Sequence, residues 1–145
     1  MEQGIENFAG VIIENESSEI LLVRKVKQYA YAIPWCRIIP GKSLQQCLKE
    51  RVMDLTGLHI QPVFLGPNEH IVGGNHFISF DHTARISPVE SHFVREGLDY
   101  LWAGVNELFT VPLVPLTRQI LEKYYLDRGI EPELSSEPKG FSTDA

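Results

Sequence analysis

Two acidic residues, Glu50 and Asp54, lie four positions apart in a stretch whose apolar residues have helical spacing. Residues four apart on a helix share a face, so both carboxylates project to the same side. Magnesium is held by carboxylates and water while it bridges the phosphate groups of a substrate. The pair is therefore a candidate for holding a divalent cation.

Arg51 is the second residue of interest in this stretch. On a helical wheel it falls between Leu48 and Leu55, inside the apolar stripe, where a guanidinium must reach solvent or meet an anion. Two interpretations stay open. The simpler is a structural ion pair with an acid such as Glu96 or Asp99. The other is direct binding of a phosphate or carboxylate by Arg51.

Further charged and nucleophilic residues precede the helix. Arg37 and Lys42 are candidate ligand-binding residues beside Arg51, although each taken singly is more typical of a solvated loop. Cys36 could be a reactive thiol, but no residue type in the pattern pairs it with a base. Cys47 lies on the apolar stripe and is expected to be a small core residue.

The elements that position these residues follow from periodicity and turn signals. β-branched runs predict a hairpin from Phe8 to Lys25, and apolar spacing predicts a helix from Leu44 that ends at Gly57. Ser43 and Gln46 fit a capping box at its start. Three further strands are predicted at Val63 to Leu65, His76 to Phe80 and Leu98 to Ala103, and Gly-Pro and Gly-Gly turns separate the first two. A second helix is predicted from Val114 to Leu126.

Length and composition favour one folded domain. The chain has 145 residues, 43% hydrophobic and 22% charged, which predicts a single domain over residues 1–128 and a flexible tail over residues 129–145. The formal net charge of −6 argues against a broad nucleic-acid surface or an anionic-membrane surface. A local basic pocket stays compatible with that charge.

Cysteine content and the N-terminus indicate the compartment. Two cysteines do not make a disulfide framework, and free thiols are typical of a reducing environment. The first residues lack the basic and apolar regions of a signal peptide, and no apolar run is long enough for a membrane span. We therefore expect a cytoplasmic protein.

The stretch from Ala32 to Leu58 resembles the Nudix hydrolase superfamily, whose box reads G-x5-E-x7-R-E-U-x-E-E-x-G-U, with U a bulky aliphatic residue. Ile33-Pro34 stands where the family has Leu-Pro, and Pro40-Gly41 occupies the entrance to the helix. The aliphatic, glycine and aliphatic positions at the end of the box are matched by Val52, Gly57 and Leu58. The order of strands and helices around the box also fits the family, so the resemblance covers the chain up to its tail.

The catalytic letters of the box are changed. Cys36 occupies the first glycine and Lys42 the first glutamate, Glu50-Arg51 reverses the family's Arg-Glu, and Asp54-Leu55 replaces its Glu-Glu. The resemblance places the three metal-binding carboxylates of the helix at Arg51, Asp54 and Leu55, so one acid remains. Arginine offers only hydrogen-bond donors and leucine offers no ligand atom.

The resemblance implies an α/β (α+β) Nudix fold with a mixed β-sheet between helices. It leads to three hypotheses about function. The first is a divergent protein that binds a nucleotide-like or other phosphate-bearing ligand with weak or no hydrolysis. The second is an active hydrolase of a nucleoside diphosphate linked to another moiety, using Mg²⁺ or Mn²⁺ and the acids Glu50, Asp54 and Glu96 or Asp99. The third is a non-catalytic homodimerisation or protein-interaction module.

Overall fold

The computed structural model describes residues 4–86 and 95–130. Within these ranges, six strands and three helices follow one another along the chain. They are β1 (Ile5–Glu14), β2 (Ile20–Lys25), β3 (Trp35–Arg37), α1 (Leu44–Thr56), β4 (Val63–Val72), β5 (Asn75–Arg85), β6 (Leu98–Ala103), α2 (Val105–Leu108) and α3 (Pro115–Asp127).

Strand β1 lies at the centre of a mixed six-stranded sheet. The strand order is β4-β5-β1-β2-β6, and β3 also pairs with β1. β1 runs parallel to β5 along its whole length, from Ile5 opposite His76 to Glu14 opposite Arg85. Its other edge is shared, because β3 pairs antiparallel at Phe8–Gly10 and β2 pairs antiparallel at Glu14.

The two faces of the sheet are covered by different helices. Side chains of a strand alternate between faces, and on one face Val11 and Ile13 pack in the cluster that contains Leu48 and Val52 of α1. On the other face Phe8 and Ile12 pack with α2 and α3, including Leu108, Leu121 and Tyr125. The predicted architecture, a mixed sheet between helices, is confirmed.

Helix α1 begins and ends at the predicted residues. The Ser43 hydroxyl accepts a hydrogen bond from the Gln46 backbone N–H at 3.0 Å, as an N-cap does. The Gln46 side chain donates instead to Glu50 Oε2 at 2.8 Å, so the Ser43 half of the expected capping box is present. Gly57 ends the helix in the left-handed region, with φ 78°, where glycine carries no Cβ penalty.

Strands β4 and β5 are longer than the sequence indicated. The Gly66-Pro67 step, expected to be a turn, is a bulge inside β4, where the register shifts between Phe64 and Gly66. Pro67 is tolerated because β4 is an edge strand of the described sheet and needs no outward N–H donor. The Gly73-Gly74 turn is confirmed, and both residues have positive φ as a tight hairpin requires.

Strand β6 and helix α3 agree with the sequence within one residue, whereas the short helix α2 was not predicted. Helix α3 begins at Pro115, at the first-turn position that proline favours, and ends at Asp127. Most of the predicted tail falls on residues 131–145, outside the described residues, and the domain boundary at residue 128 stays a prediction. None of the helices in residues 4–86 and 95–130 is long and apolar enough to cross a membrane.

One buried histidine belongs to the core rather than to a site. His82 on β5 is fully buried, and its Nδ1–H donates to the Phe80 carbonyl oxygen at 2.9 Å. Its ring lies 5.2 Å from that of Phe64. Burial lowers the pKa of His82 from its ordinary value of 6.5, because the charged imidazolium is poorly solvated there.

We expect the free energy of unfolding to fall as the pH drops below about 6.5, because the unfolded chain then binds a proton more readily than folded His82 does. This group contributes at most about 1.4 kcal/mol per pH unit. Urea unfolding of wild type and His82→Gln at several pH values between about 5 and 7.5 measures the difference. His59→Gln, at an exposed position, is the matched control. An equally steep acid-side slope in His82→Gln would contradict the assignment.

Candidate functional site

Arg51 lies at the rim of α1 and is exposed, not inside the apolar stripe. Its Nε donates to the Trp35 carbonyl oxygen at 3.3 Å, which links α1 to β3. The expected ion pair with Glu96 or Asp99 is wrong, because Asp99 Oδ2 instead lies 3.1 Å from Arg24 Nε on the neighbouring strand β2. The buried face of α1 is centred on Cys47, Leu48, Val52 and Thr56, and this leaves Arg51 at its edge.

Asp54 faces a cation from another segment. Its Oδ1 lies 3.3 Å from Arg95 Nη1, which also donates to the Asp54 carbonyl oxygen. Next to this contact, the Tyr100 hydroxyl donates to the Leu55 carbonyl oxygen. The sequence did not single out Arg95, since no motif connects it with the helix.

Glu50 and Lys42 pair with one another. Lys42 Nζ lies 2.6 Å from Glu50 Oε1, and Gln46 holds the other carboxylate oxygen. The hydrogen bonds from Gln46 and Lys42 lower the pKa of Glu50, and the same contact raises the pKa of Lys42. Both side chains are exposed, so the pair orders the entrance of α1 more than it stabilises the fold.

The predicted acids do not converge on one point. Glu96 is exposed in the turn before β6, while Glu50, Asp54 and Asp99 each lie beside a different cation. In the described ranges, no group of three His, Cys, Asp or Glu side chains could hold a metal ion. With a donor-only Arg51 and an apolar Leu55 beside Asp54, these residues do not fit the magnesium cluster that the resemblance implies.

The cysteines of this region do not form a reactive pair with a base. Cys47 is buried in the core, as expected. Burial raises the pKa of the half-buried Cys36 thiol to about 11, and the nearby Arg51 offsets part of that shift. Because the thiolate is the nucleophile, Cys36 is poorly suited to covalent catalysis.

A cavity of about 410 Å³ opens between the start of β1, strand β3 and the first turn of α3. Phe8, Trp35 and Phe77 provide aromatic walls, and the charged residues that line the cavity are Arg37 and Glu6. The Phe8 and Trp35 rings meet edge to face at 5.9 Å, with Trp35 43% exposed. We call this space the Arg37 cavity; its size is typical of small-molecule sites.

Arg37 differs from the two other candidate ligand-binding cations, Lys42 and Arg51, in its contacts. Among residues 4–86 and 95–130, its guanidinium has no hydrogen-bond or ion-pair partner. Lys42 and Arg51 are held by Glu50 and by the Trp35 carbonyl, and neither of them lines the cavity. Of the three cations that the sequence grouped together, the tertiary structure therefore brings one to a concave surface.

Comparison with solved structures identifies the fold. A MutT protein from Methanosarcina mazei Go1 matches with a TM-score of 0.71 and 17% identity over 90% of this chain and 99% of that one. An Ap4A hydrolase from C. elegans, solved as a binary complex, matches with a TM-score of 0.66 and 12% identity over 86% and 98% of the two chains.

A third structure is the NUDIX domain of Shewanella oneidensis NrtR complexed with ADP ribose, with a TM-score of 0.65 and 14% identity over 88% of this chain and 90% of that one. No protein-family model and no curated protein matches the sequence. At these identities the likeness shows the fold alone. The chain is a protein with the Nudix fold.

We expect wild-type protein to show no saturable Mg²⁺ binding at α1 in a titration followed by backbone amide chemical shifts. Arg51→Glu combined with Leu55→Glu places two carboxylates beside Asp54 and should tighten Mg²⁺ binding at least about tenfold, or about 1.4 kcal/mol. Lys27→Glu combined with Leu126→Glu makes the same change of net charge at exposed positions outside α1. Saturable wild-type binding centred on Asp54, or an equal gain in the control, would contradict the loss of the site.

Proposed function

We propose that this protein binds a nucleotide-like or other phosphate-bearing small molecule in the Arg37 cavity and hydrolyses it weakly or not at all. The observation that carries the proposal is the Arg37 guanidinium, which has no partner among the described residues and lines a cavity walled by aromatic rings. A guanidinium binds phosphate or carboxylate oxygens through charge-assisted hydrogen bonds.

The cavity lining suits a ligand with one apolar, planar part and one anionic part. Trp35, Phe8 and Phe77 offer ring faces and edges on which a planar group can pack. Asn7 and Gln28 add polar groups that can fix its orientation. One structural neighbour is an Ap4A hydrolase and another is a NUDIX domain in complex with ADP ribose, which supports the same ligand class here.

The positions of the candidate acids support weak or absent hydrolysis. The second hypothesis, an active hydrolase using Glu50, Asp54 and Glu96 or Asp99, needs acids that meet at one cation. In the structure three of these acids lie against three separate cations, Lys42, Arg95 and Arg24. The binding function is therefore favoured over the hydrolase.

Isothermal titration with ADP-ribose, diadenosine polyphosphates and UDP-sugars, with and without Mg²⁺, tests the proposal. Arg37→Gln should weaken binding of the best ligand about 10- to 100-fold, because a hydrogen bond to a charged group contributes roughly 1.5–3 kcal/mol. Arg118→Gln removes a guanidinium on α3 outside the cavity and should leave the affinity unchanged.

Two outcomes would contradict the proposed binding function. One is equal affinity in Arg37→Gln and wild type. The other is efficient turnover of a ligand with Mg²⁺ or Mn²⁺ that is abolished by Asp54→Ala, since that result would support the hydrolase hypothesis instead.

A second candidate is homodimerisation through the sheet edge, and one observation favours it. β4 is an edge strand of the described sheet and exposes large apolar side chains: Val63 is 60% exposed, Leu65 52% and Ile71 65%. An exposed apolar edge strand offers unpaired backbone groups to another strand. The Arg37 cavity and this edge are compatible with one another, so a ligand-binding dimer is consistent with both.

We expect sedimentation velocity to show a concentration-dependent dimer that Ile71→Lys weakens at least about tenfold, because a lysine on an edge strand opposes strand pairing. Leu126→Lys changes an equally exposed apolar residue on α3 and is the control. A monomer at all accessible concentrations, or equal weakening by both variants, would exclude dimerisation through β4.

A further inference from the structure

The two cysteines of the chain meet where α1 packs on β3. Cys36 is the middle residue of β3, and Cys47 lies near the start of α1. Both are free thiols, and a hydrogen bond joins their side chains. A disulfide needs two cysteine side chains that are close and point toward one another, and a pair of hydrogen-bonded thiols meets that requirement.

A second contact between the same two elements supports this placement independently. Arg51 lies four positions after Cys47, so both side chains project from the same face of α1. Arg51 Nε donates to the carbonyl oxygen of Trp35, the residue before Cys36, at 3.3 Å. Two successive turns of α1 therefore meet two successive residues of β3.

Cys36 lies on the side of β3 that faces away from the Arg37 cavity. Successive side chains of a strand point to opposite faces of the sheet. Trp35 and Arg37 line the cavity, whereas Cys36 packs against the core cluster under α1. The Cys36 thiol is thus directly behind the cavity, on the strand that carries its arginine.

The two thiols differ in exposure. Cys47 is 3% exposed, whereas Cys36 is half-buried, so an oxidant from solution reaches Cys36 first. Burial and the neighbouring Cys47 thiol raise the pKa of Cys36 to about 11. The reactive thiolate is therefore scarce near neutral pH, and the first step of any oxidation is slow there.

We propose that Cys36 and Cys47 form a reversible disulfide that fixes β3 against α1. The oxidant is a low-molecular-weight disulfide such as oxidised glutathione. The Cys36 thiolate attacks one of its sulfurs, the S–S bond of the oxidant breaks, and one glutathione leaves. The Cys47 thiolate then attacks the Cys36 sulfur and releases the second glutathione. In total two protein thiols are oxidised, one disulfide is reduced, and the two thiol protons end on two glutathione molecules.

The disulfide is a modification site that needs no ligand, whereas its effect on the Arg37 cavity rests on the proposed function. A covalent bond brings the two sulfurs closer than a hydrogen bond does, so it draws β3 toward α1. Trp35 and Arg37 move with the strand, away from the other walls of the cavity. Oxidation should therefore weaken ligand binding.

Incubation of the wild-type protein with oxidised glutathione at about pH 9, where more of the thiol is ionised, tests the disulfide. We expect the intact mass to fall by two hydrogen atoms and to return on treatment with dithiothreitol. Trypsin cleaves after Arg37 and Lys42, between the two cysteines, so the linked peptides identify the bond. A final product that is only a glutathione adduct, or only a covalent dimer, would overturn the proposal.

Two single variants test the order of the steps. Cys47→Ser removes the second thiol, so its reaction should stop at one glutathione on Cys36. Cys36→Ser leaves only the buried thiol and should stay unmodified over the same time. Equal glutathione uptake by the two variants would contradict Cys36 as the entry point. If either variant does not fold, the peptide map of wild type decides whether the disulfide forms.

Isothermal titration of reduced and oxidised wild type tests the effect on the cavity. The probe is the nucleotide that binds best among ADP-ribose, diadenosine polyphosphates and UDP-sugars. We expect the oxidised protein to bind it at least about threefold more weakly. Equal affinity of the two forms would refute the coupling and leave the ligand site standing. Absence of binding by both forms would refute the proposed function and the coupling together, while the mass measurement still decides the disulfide.

Discussion

The burial of β1 on both faces and along both edges is the constraint on which the rest of the structure depends. From Phe8 to Glu14 every residue is buried, so each face needs a cover and each edge needs a partner strand. β5 supplies one edge, and β3 and β2 divide the other. Because alternate side chains point to opposite faces, α1 and α3 must lie on opposite sides of the sheet.

This arrangement fixes the packing positions of α1 and leaves its exposed positions variable. Leu48 and Val52 of α1 are fully buried against β1, and Gly57 ends the helix so that Leu58 can enter the same core. Those positions are constrained by packing. Arg51 and Asp54 are exposed, so their identity is free to change without loss of the core.

For Mg²⁺ binding at α1, the residue types at positions 51 and 55 matter more than the ion pair of Asp54 does. Exposed pairs such as Asp54 with Arg95 contribute about 0–1 kcal/mol, so such a pair alone would not keep a divalent cation from Asp54. A donor-only arginine and an apolar leucine at positions 51 and 55 leave Asp54 as the one carboxylate among these three positions of α1.

The sequence by itself determined most of the elements and the fold, because those signals act over a few residues. It missed β3, which was expected to be a loop, the short helix α2, and the extension of β4 through Gly66-Pro67. The Ser43 cap, the apolar spacing of α1 and the β-branched run of β1 each operate locally, and together with the Nudix resemblance they were sufficient. The partners of the charged residues were decided by the tertiary structure. Asp54 meets Arg95 across 41 positions and Arg24 meets Asp99 across 75. Such pairs depend on strand order and register, and so does the Arg37 cavity, since a concave surface exists only once separate elements have packed together.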